Sequence, residues 1–448
     1  MKSFLIRYNW FLWAFLCTLA LIGPIHAGFY KVVCLLIVPT FIVLYYKELK
    51  VWYHEHPAER HYFYGILIFC LYVFLQVAVW SFLPNKYNYE PSYGAIEEFL
   101  FTYLLLALLA WVLGVGLTQK MFECIIIAFG VCTALGGMFL LWAYFDLSQL
   151  LESPKILISQ VLACRFTGCV STKFPELTVF LKDYSFYPTL GALLLIPFAV
   201  KYKGAKRWLI ALLALINACL LIFTINRGTI IGFSIALVLM VIYFSWKLVW
   251  YKKMTALLCV IATVVLIVEF MPQEIKMRFL QMIRESEAFI QEEHDSGSIS
   301  ARLKMWEILL SHKQDFWLLG EGPLYGTDRL RAYFMEADYQ YYVDMGFVYH
   351  NQYLAYFHHY GILGLLFLPF LLFYPLYAMI RYRRFSVTLT AIIIIFAFAC
   401  IEDRYLGKTM VEAVLFVFFF SYFQLDKWRY IENKNYNDVE PIKSDSKK

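Results

Sequence analysis

Long apolar runs separated by short polar breaks fill most of this chain, and one polar stretch stands apart by its length. A helix needs about 20 apolar residues to cross a hydrocarbon core about 30 Å thick, and the runs meet that requirement. The pattern predicts twelve spans, near 9–27, 29–46, 62–83, 97–117, 121–145, 186–201, 207–225, 230–250, 255–271, 351–379, 386–402 and 409–425. The sixth is short, and Pro188 and Pro197 blur its ends. The long polar stretch, Pro272 to Tyr349, separates the ninth span from the tenth and runs directly into His350. The expected fold is therefore an all-α polytopic membrane protein with one large helical loop. Four parts follow: helices 1–9 in residues 1–271, the loop in 272–349, helices 10–12 in 350–425, and a polar, disordered tail in 426–448.

The loop has an order of its own. Phe279, Met282, Ile283 and Phe289 recur near helical spacing among Glu and Arg, which predicts an amphipathic helix on the membrane or against the bundle. Ser296-Gly297-Ser298-Ile299-Ser300 reads as a break, with Ser300 as the N-cap of a second helix through Arg302, Trp306 and Leu310. Leu319-Gly320-Glu321-Gly322-Pro323 is a turn that stops it.

Composition agrees with the pattern. Hydrophobic residues make up 61% of the 448 and charged residues 16%, with a mean hydropathy of +0.62. Soluble domains carry about 25% charged residues, which excludes an ordinary soluble enzyme. The 41 Phe and 34 Tyr suit lipid-facing helices with aromatic belts. The formal charge of +6 does not indicate a nucleic-acid partner, because the Lys and Arg sit in short loops on one side. Most of the ten cysteines lie in apolar runs, where they act as small hydrophobes. Cys164 and Cys169 instead flank a polar loop, and their spacing allows a disulfide without requiring one.

Charge also sets the orientation. Connections after even-numbered spans carry Lys47, Lys50 and Arg60, then Lys201, Lys203, Lys206 and Arg207, then Lys247, Lys252 and Lys253, then Arg381, Arg383 and Arg384. Opposite connections are acidic or mixed, as between Glu90 and Glu98 and at Glu402-Asp403-Arg404. By the positive-inside rule both termini are cytoplasmic, and the loop, Arg227 and the segment Asp146–Tyr187 face outward. The basic start and Ile25-His26-Ala27 also fit a cleaved signal peptide, although an anchoring first helix explains the same residues.

The outward side carries an ordered set of short motifs. These are Thr224-Ile225-Asn226-Arg227-Gly228, Ser300-Ala301-Arg302 with Trp306, Gly320-Glu321-Gly322, and His350-Asn351 with Leu354, Gly361 and Gly364. Each is weak alone; in this order, on one side of a membrane, they resemble the O-antigen ligase and O-antigen polymerase superfamily of bacterial envelope glycosyltransferases. The resemblance covers nearly the whole layout, and its specific part runs from Thr224 to Gly364. It implies transfer of a polysaccharide from undecaprenyl diphosphate to an acceptor hydroxyl, on the periplasmic face of the bacterial inner membrane. The ligase branch uses the lipid A core as acceptor. By the same resemblance Arg227 and Arg302 bind the donor diphosphate, and His350 is the catalytic base.

The residue chemistry suits those roles independently. A departing diphosphate needs cations, and guanidinium groups offer rigid paired donors to phosphate oxygens. The loop holds 8 basic and 13 acidic residues, net −5, so individual arginines rather than a basic surface must bind an anion. The plain alternatives are a snorkelling anchor for Arg227 and a solvated first-turn residue for Arg302. A cation near a helix N-terminus is disfavoured, which asks for a better reason for Arg302. An imidazole with a pKa near 6.5 suits proton abstraction near neutral pH; the plain alternative is a backbone-bonded interfacial histidine. His358 and His359 are read as structural, and Glu402-Asp403-Arg404 as a boundary ion pair rather than a lining of the acceptor path.

Other chemistries find less support. There is no Asp-x-Asp, and the acidic pairs Glu293-x-Asp295 and Glu336-x-Asp338 read as solvated faces, so neither a metal nor any other cofactor is expected. Nucleotide-binding loops are absent from the sequence. A polymerase differs only in its acceptor, which the residues do not display; loop length and the His-Asn motif favour the ligase. A flippase would show internal repeats and polar groups at mid-membrane, whereas here the candidate residues gather at one face.

Overall fold

The computed structural model describes residues 57–82, 119–144, 169–170, 178–179, 184–224, 226–246, 298–339, 349–381 and 386–403, with isolated positions between them. The expected spans at 9–27 and 409–425, most of those at 29–46, 97–117 and 255–271, and the tail fall outside these residues.

Seven helices follow the apolar runs closely. They are α1 (Pro57–Phe82), α2 (Gln119–Tyr144), α3 (Phe186–Lys201), α4 (Gly204–Thr224), α5 (Arg227–Ser245), α9 (Gln352–Arg381) and α10 (Val387–Glu402). Five of them, all but α3 and α10, are long and apolar enough to cross a membrane. The loop contributes α6 (Ser298–Ser311), α7 (Lys313–Phe316) and α8 (Gly326–Glu336). A two-residue antiparallel pair, β1 (Cys169–Val170) with β2 (Thr178–Val179), is the sole sheet among the described residues. Cys169 lies in β1, while Cys164 falls outside the described residues.

The two shortest apolar helices sit innermost. A helix that is apolar on every side is buried, in protein or in lipid, and these two are buried in protein. Accordingly α3 is buried from Phe186 to Leu195, and α10 along most of its length. The longer helices pack around them and keep exposed apolar faces, such as Ile68, Leu71 and Leu75 on α1 and Leu209, Leu212 and Leu215 on α4. Helices α5 and α10 pack backbone to backbone. At Gly232 a Cβ would come 2.9 Å from the Ile395 Cα, so the two backbones meet through small residues, as membrane helices commonly do. A polar knot joins α2 to α4 inside the bundle. Thr133 donates to Asn217 Oδ1 at 2.6 Å, and Asn217 Nδ2 donates to the Gly130 carbonyl at 2.9 Å.

The loop packs on the site end of the bundle. Met305, Leu309, Phe316, Tyr333 and Phe334 close a second small core against Tyr349 and Ala355. Positions 276, 277, 280, 283–285 and 287 are helical, and Met277, Leu280 and Ile283 are exposed, in keeping with an amphipathic helix; Phe279, Met282 and Phe289 fall outside the described residues. The second loop helix begins at Ser298 rather than after Ser300, whose hydroxyl is buried inside its first turn, so Ser300 is not the N-cap. Sequence reading places helix ends only to within a turn.

Candidate active site

One helix end, that of α10, and three helix starts, those of α5, α6 and α9, converge at one end of the bundle. The α5 start carries Asn226 as N-cap, buried, with its Nδ2 donating to Ser185 Oγ at 2.8 Å beside the head of α3. Arg227 is the first residue of α5. The next residue, Gly228, donates its backbone N–H to the Glu402 carboxylate at the last residue of α10. An anion there meets the unpaired amides and positive dipole end of α5. The place has no room for a side chain, because a Cβ on Gly228 would run into the Glu402 carboxylate.

Glu402 also answers the question raised by Arg302. That side chain leaves α6 and reaches the end of α10. Its Nη1 donates to the Glu402 carbonyl at 3.2 Å and lies 3.9 Å from the carboxylate. A cation ill-suited to the first turns of its own helix is thus well placed at the C-terminus of another.

His350 stands on the other side of the same helix end. Its Nδ1 lies 3.5 Å from Asp403 Oδ1, immediately after Glu402. The backbone at His350 is in the left-handed region, φ 42°, which few non-glycine residues adopt and which is held here from both sides. Upstream, Trp306 Nε1 on α6 donates to the Tyr349 carbonyl at 2.9 Å. Downstream, Asn351 Oδ1 accepts from the Leu354 N–H at 3.0 Å and caps α9. The His-Asn pair is therefore a presented imidazole followed by a helix cap.

Exposure separates the groups into two layers. Arg302 and His350 side chains are 23% and 22% exposed, whereas Glu402 and Asp403 are 13% and 7% exposed. The cation and the imidazole face solvent, and the carboxylates sit behind them. His350 Nδ1, the atom that faces Asp403, is itself buried.

A layer of buried polar groups supports the site. Tyr349 Oη lies 2.8 Å from both His358 Nδ1 and His359 Nε2. Deeper in the loop, Tyr333 donates to Glu321 at 2.9 Å, Arg329 sits over the Tyr333 ring, and Arg329 Nε is 3.5 Å from Glu321. Burial, reinforced by the Glu321 carboxylate, pushes the Tyr333 hydroxyl well above its ordinary pKa, so it remains a donor.

The structure brings Arg302 and His350 to one helix end and sets the start of α5, with Arg227, against the same end. Glu402 and Asp403 are the residues the sequence reading undervalued. Arg404, the third member of the expected boundary pair, lies outside the described residues, while Glu402 and Asp403 each reach a different element. The available signal was two adjacent carboxylates at the end of a wholly apolar helix, which are costly there without partners. Glu293 and Asp295 lie outside the described residues; Glu336 is 3.6 Å from His312 Nε2 in an exposed pair. Among the described residues, no three His, Cys, Asp or Glu side chains are grouped to hold a metal ion.

Residues 210–369 match the family model described as O-Antigen ligase. That segment contains Arg227, Arg302 and His350 and ends before α10, so Glu402 and Asp403 lie beyond it. No curated protein matches the chain.

Proposed function

We propose that this chain is an O-antigen ligase, which moves a polysaccharide from undecaprenyl diphosphate to a hydroxyl of the lipid A core. The observation that carries the reading is the convergence of Arg302, His350 and the α5 start around Glu402-Asp403, within and beside the segment matching O-Antigen ligase.

In this reading the acceptor oxygen forms a bond to the anomeric carbon of the donor sugar. The bond from that carbon to the diphosphate oxygen breaks, and its electron pair leaves with the diphosphate. Arg227 and Arg302 stabilise the growing negative charge on that leaving group. The acceptor proton passes to His350. With Asp403 facing Nδ1, the proton is received at Nε2. Asp403 also stabilises the imidazolium that forms, as a carboxylate behind a catalytic histidine does.

Orientation follows from the same layout. Arg60, Lys201, Lys203, Lys206, Arg207 and Arg381 gather at the ends of the helices opposite the site. That gathering supports a cytoplasmic basic end, a periplasmic site and cytoplasmic termini in an inner-membrane protein of twelve spans. No nucleotide is needed, since the donor linkage already holds the energy for transfer, and the arginines supply the charge stabilisation that a metal would otherwise give. Excess EDTA that stopped the purified reaction, with magnesium restoring it, would overturn the metal-free mechanism.

The test is the lipopolysaccharide of a deletion strain. A ligase predicts loss of long chains from lipid A with lipid-linked polymer accumulating. Retention of a single attached repeat unit would assign the chain to the polymerase branch instead.

A further inference from the structure

The turn between α7 and α8 departs from a solvated loop in its backbone and in its side chains. Trp317, Leu318 and Leu319 are consecutive, large and apolar, yet 54%, 52% and 61% exposed. Their backbone, by contrast, is closely tied into two membrane helices. The Leu319 carbonyl accepts from Tyr72 Oη at 3.1 Å and from Gln76 Nε2, both on α1. Glu321 and Gly322 donate their N–H groups to the His358 and His359 carbonyls of α9 at 2.8 and 3.1 Å. Gly320 closes the turn by donating to Phe316 at 2.8 Å.

The interruption of α9 makes this possible. Gly361 has φ 64° and ψ −151°, so the helix breaks there. The Ile362 N–H, which a continuous helix would give to His358, donates instead to the Trp317 carbonyl at 2.8 Å. Two α9 carbonyls thereby become free for the turn. A side chain at Gly361 would collide with the Leu318 carbonyl, and one at Gly320 with the His359 carbonyl.

Irregular backbone survives beside hydrocarbon only where its polar groups are met by protein. Here they are met, while the apolar side chains point away from protein. The position along the spans agrees. Gln76 lies six residues before the end of α1 at Phe82, which is about 9 Å along a helix. Positions on the spans close in sequence to these contacts, Leu75, Val79 and Phe82 on α1 and Leu363 and Leu366 on α9, are likewise apolar and exposed.

We propose that Trp317, Leu318 and Leu319 form an interfacial anchor that inserts into the outer-leaflet side of the bilayer, with phospholipid acyl chains as its partner. Insertion of about 5–10 Å is typical for apolar faces at this boundary, and Trp suits its edge. The anchor fixes the height of the loop, and with it Arg302 and His350, relative to the membrane surface. This inference rests on α1 and α9 being membrane spans and holds whichever reaction the site performs.

The experiment places the photoreactive residue p-benzoylphenylalanine at position 318, and at Glu307 on exposed α6 as the control, in the full chain in native membranes. Irradiation is expected to give several-fold more phospholipid adducts at 318 than at 307, read by mass spectrometry. Positions 317 and 319 repeat the reading should one variant accumulate poorly. Lipid adducts at 317–319 no higher than at 307 would overturn the anchor, as would adducts chiefly to another protein or to an isoprenoid chain.

Discussion

The two ends of the helix bundle both concentrate charge, but they use it differently. At the basic end, Lys201 Nζ and Tyr202 Oη both donate to Glu123, at 2.6 and 2.7 Å. Lys206 lies 3.7 Å over the Tyr202 ring, and Arg207 Nε donates to the Ala199 carbonyl at the end of α3 at 2.9 Å. Burial and the Glu123 carboxylate push the Tyr202 hydroxyl above its ordinary pKa, so it remains a donor. These contacts tie α2, α3 and the start of α4 to one another, with Glu123 the one partner among them from outside the junction of α3 and α4. At the other end, the adjacent carboxylates of Glu402 and Asp403 reach α5, α6 and His350, two residues before α9. Contacts of the first kind secure helix ends; contacts of the second kind fix side chains from distant parts of the chain in one place. The second is what a reaction site requires.

The sharpest way to break that distinction is His350→Ala. Loss of a general base typically costs about 10²–10⁴ in rate, and transfer by purified protein should fall by that order while membrane insertion is retained. Near-normal turnover would remove the base from the proposed mechanism.

The arginines come next. Arg227→Lys and Arg302→Lys keep the charge and lose the planar fork. A charge-assisted hydrogen bond contributes about 1.5–3 kcal/mol, so each change should slow transfer by roughly 10- to 100-fold if its contact with the diphosphate is bidentate. Parental rates in both variants would return the arginines to simple anchoring, like Lys201 and Arg207 at the opposite end.

What could be read from the sequence divides along similar lines. Helices were legible wherever the signal was local: the runs at 186–201 and 386–402 correspond within a residue to α3 and α10, because apolar continuity is a property of adjacent residues. The turn at Gly320 and Gly322 was legible too, and both glycines have φ 79°. The partners were not. Nothing local to Arg302 says that it reaches Glu402, a hundred residues away. Gly361 stood out in the sequence, but its reason is the exchange of hydrogen bonds with Trp317, Glu321 and Gly322. Glu402 and Asp403 looked like a surface pair because their neighbours in sequence are charged, whereas their neighbours in space include an imidazole, a guanidinium and a helix start.

A smaller effect separates the two carboxylates directly. Glu402→Gln keeps an oxygen to accept from Gly228 but loses the attraction to Arg302. Turnover should drop about tenfold, corresponding to about 1.4 kcal/mol of lost positioning, with little change in thermal unfolding. An unchanged rate would mean that Glu402 only closes the gap between α5 and α10.

The smallest effect is expected at the basic end, where Glu123→Gln is the matched change. The pair with Lys201 is short, 2.6 Å, and partly exposed, with side chains 23% and 13% accessible. Partly exposed ion pairs contribute little, because water and salt compete for both partners. Lys201 donates to Oε1 and Tyr202 to Oε2, so the single amide oxygen keeps one of the two hydrogen bonds. Unfolding of the purified protein should therefore shift by about 1 kcal/mol or less, and turnover should stay at the parental rate. The two Glu→Gln variants together separate structure from reaction. Equal losses of turnover at Glu123 and Glu402 would mean that both ends merely hold helices, and the chemical distinction between them would fall.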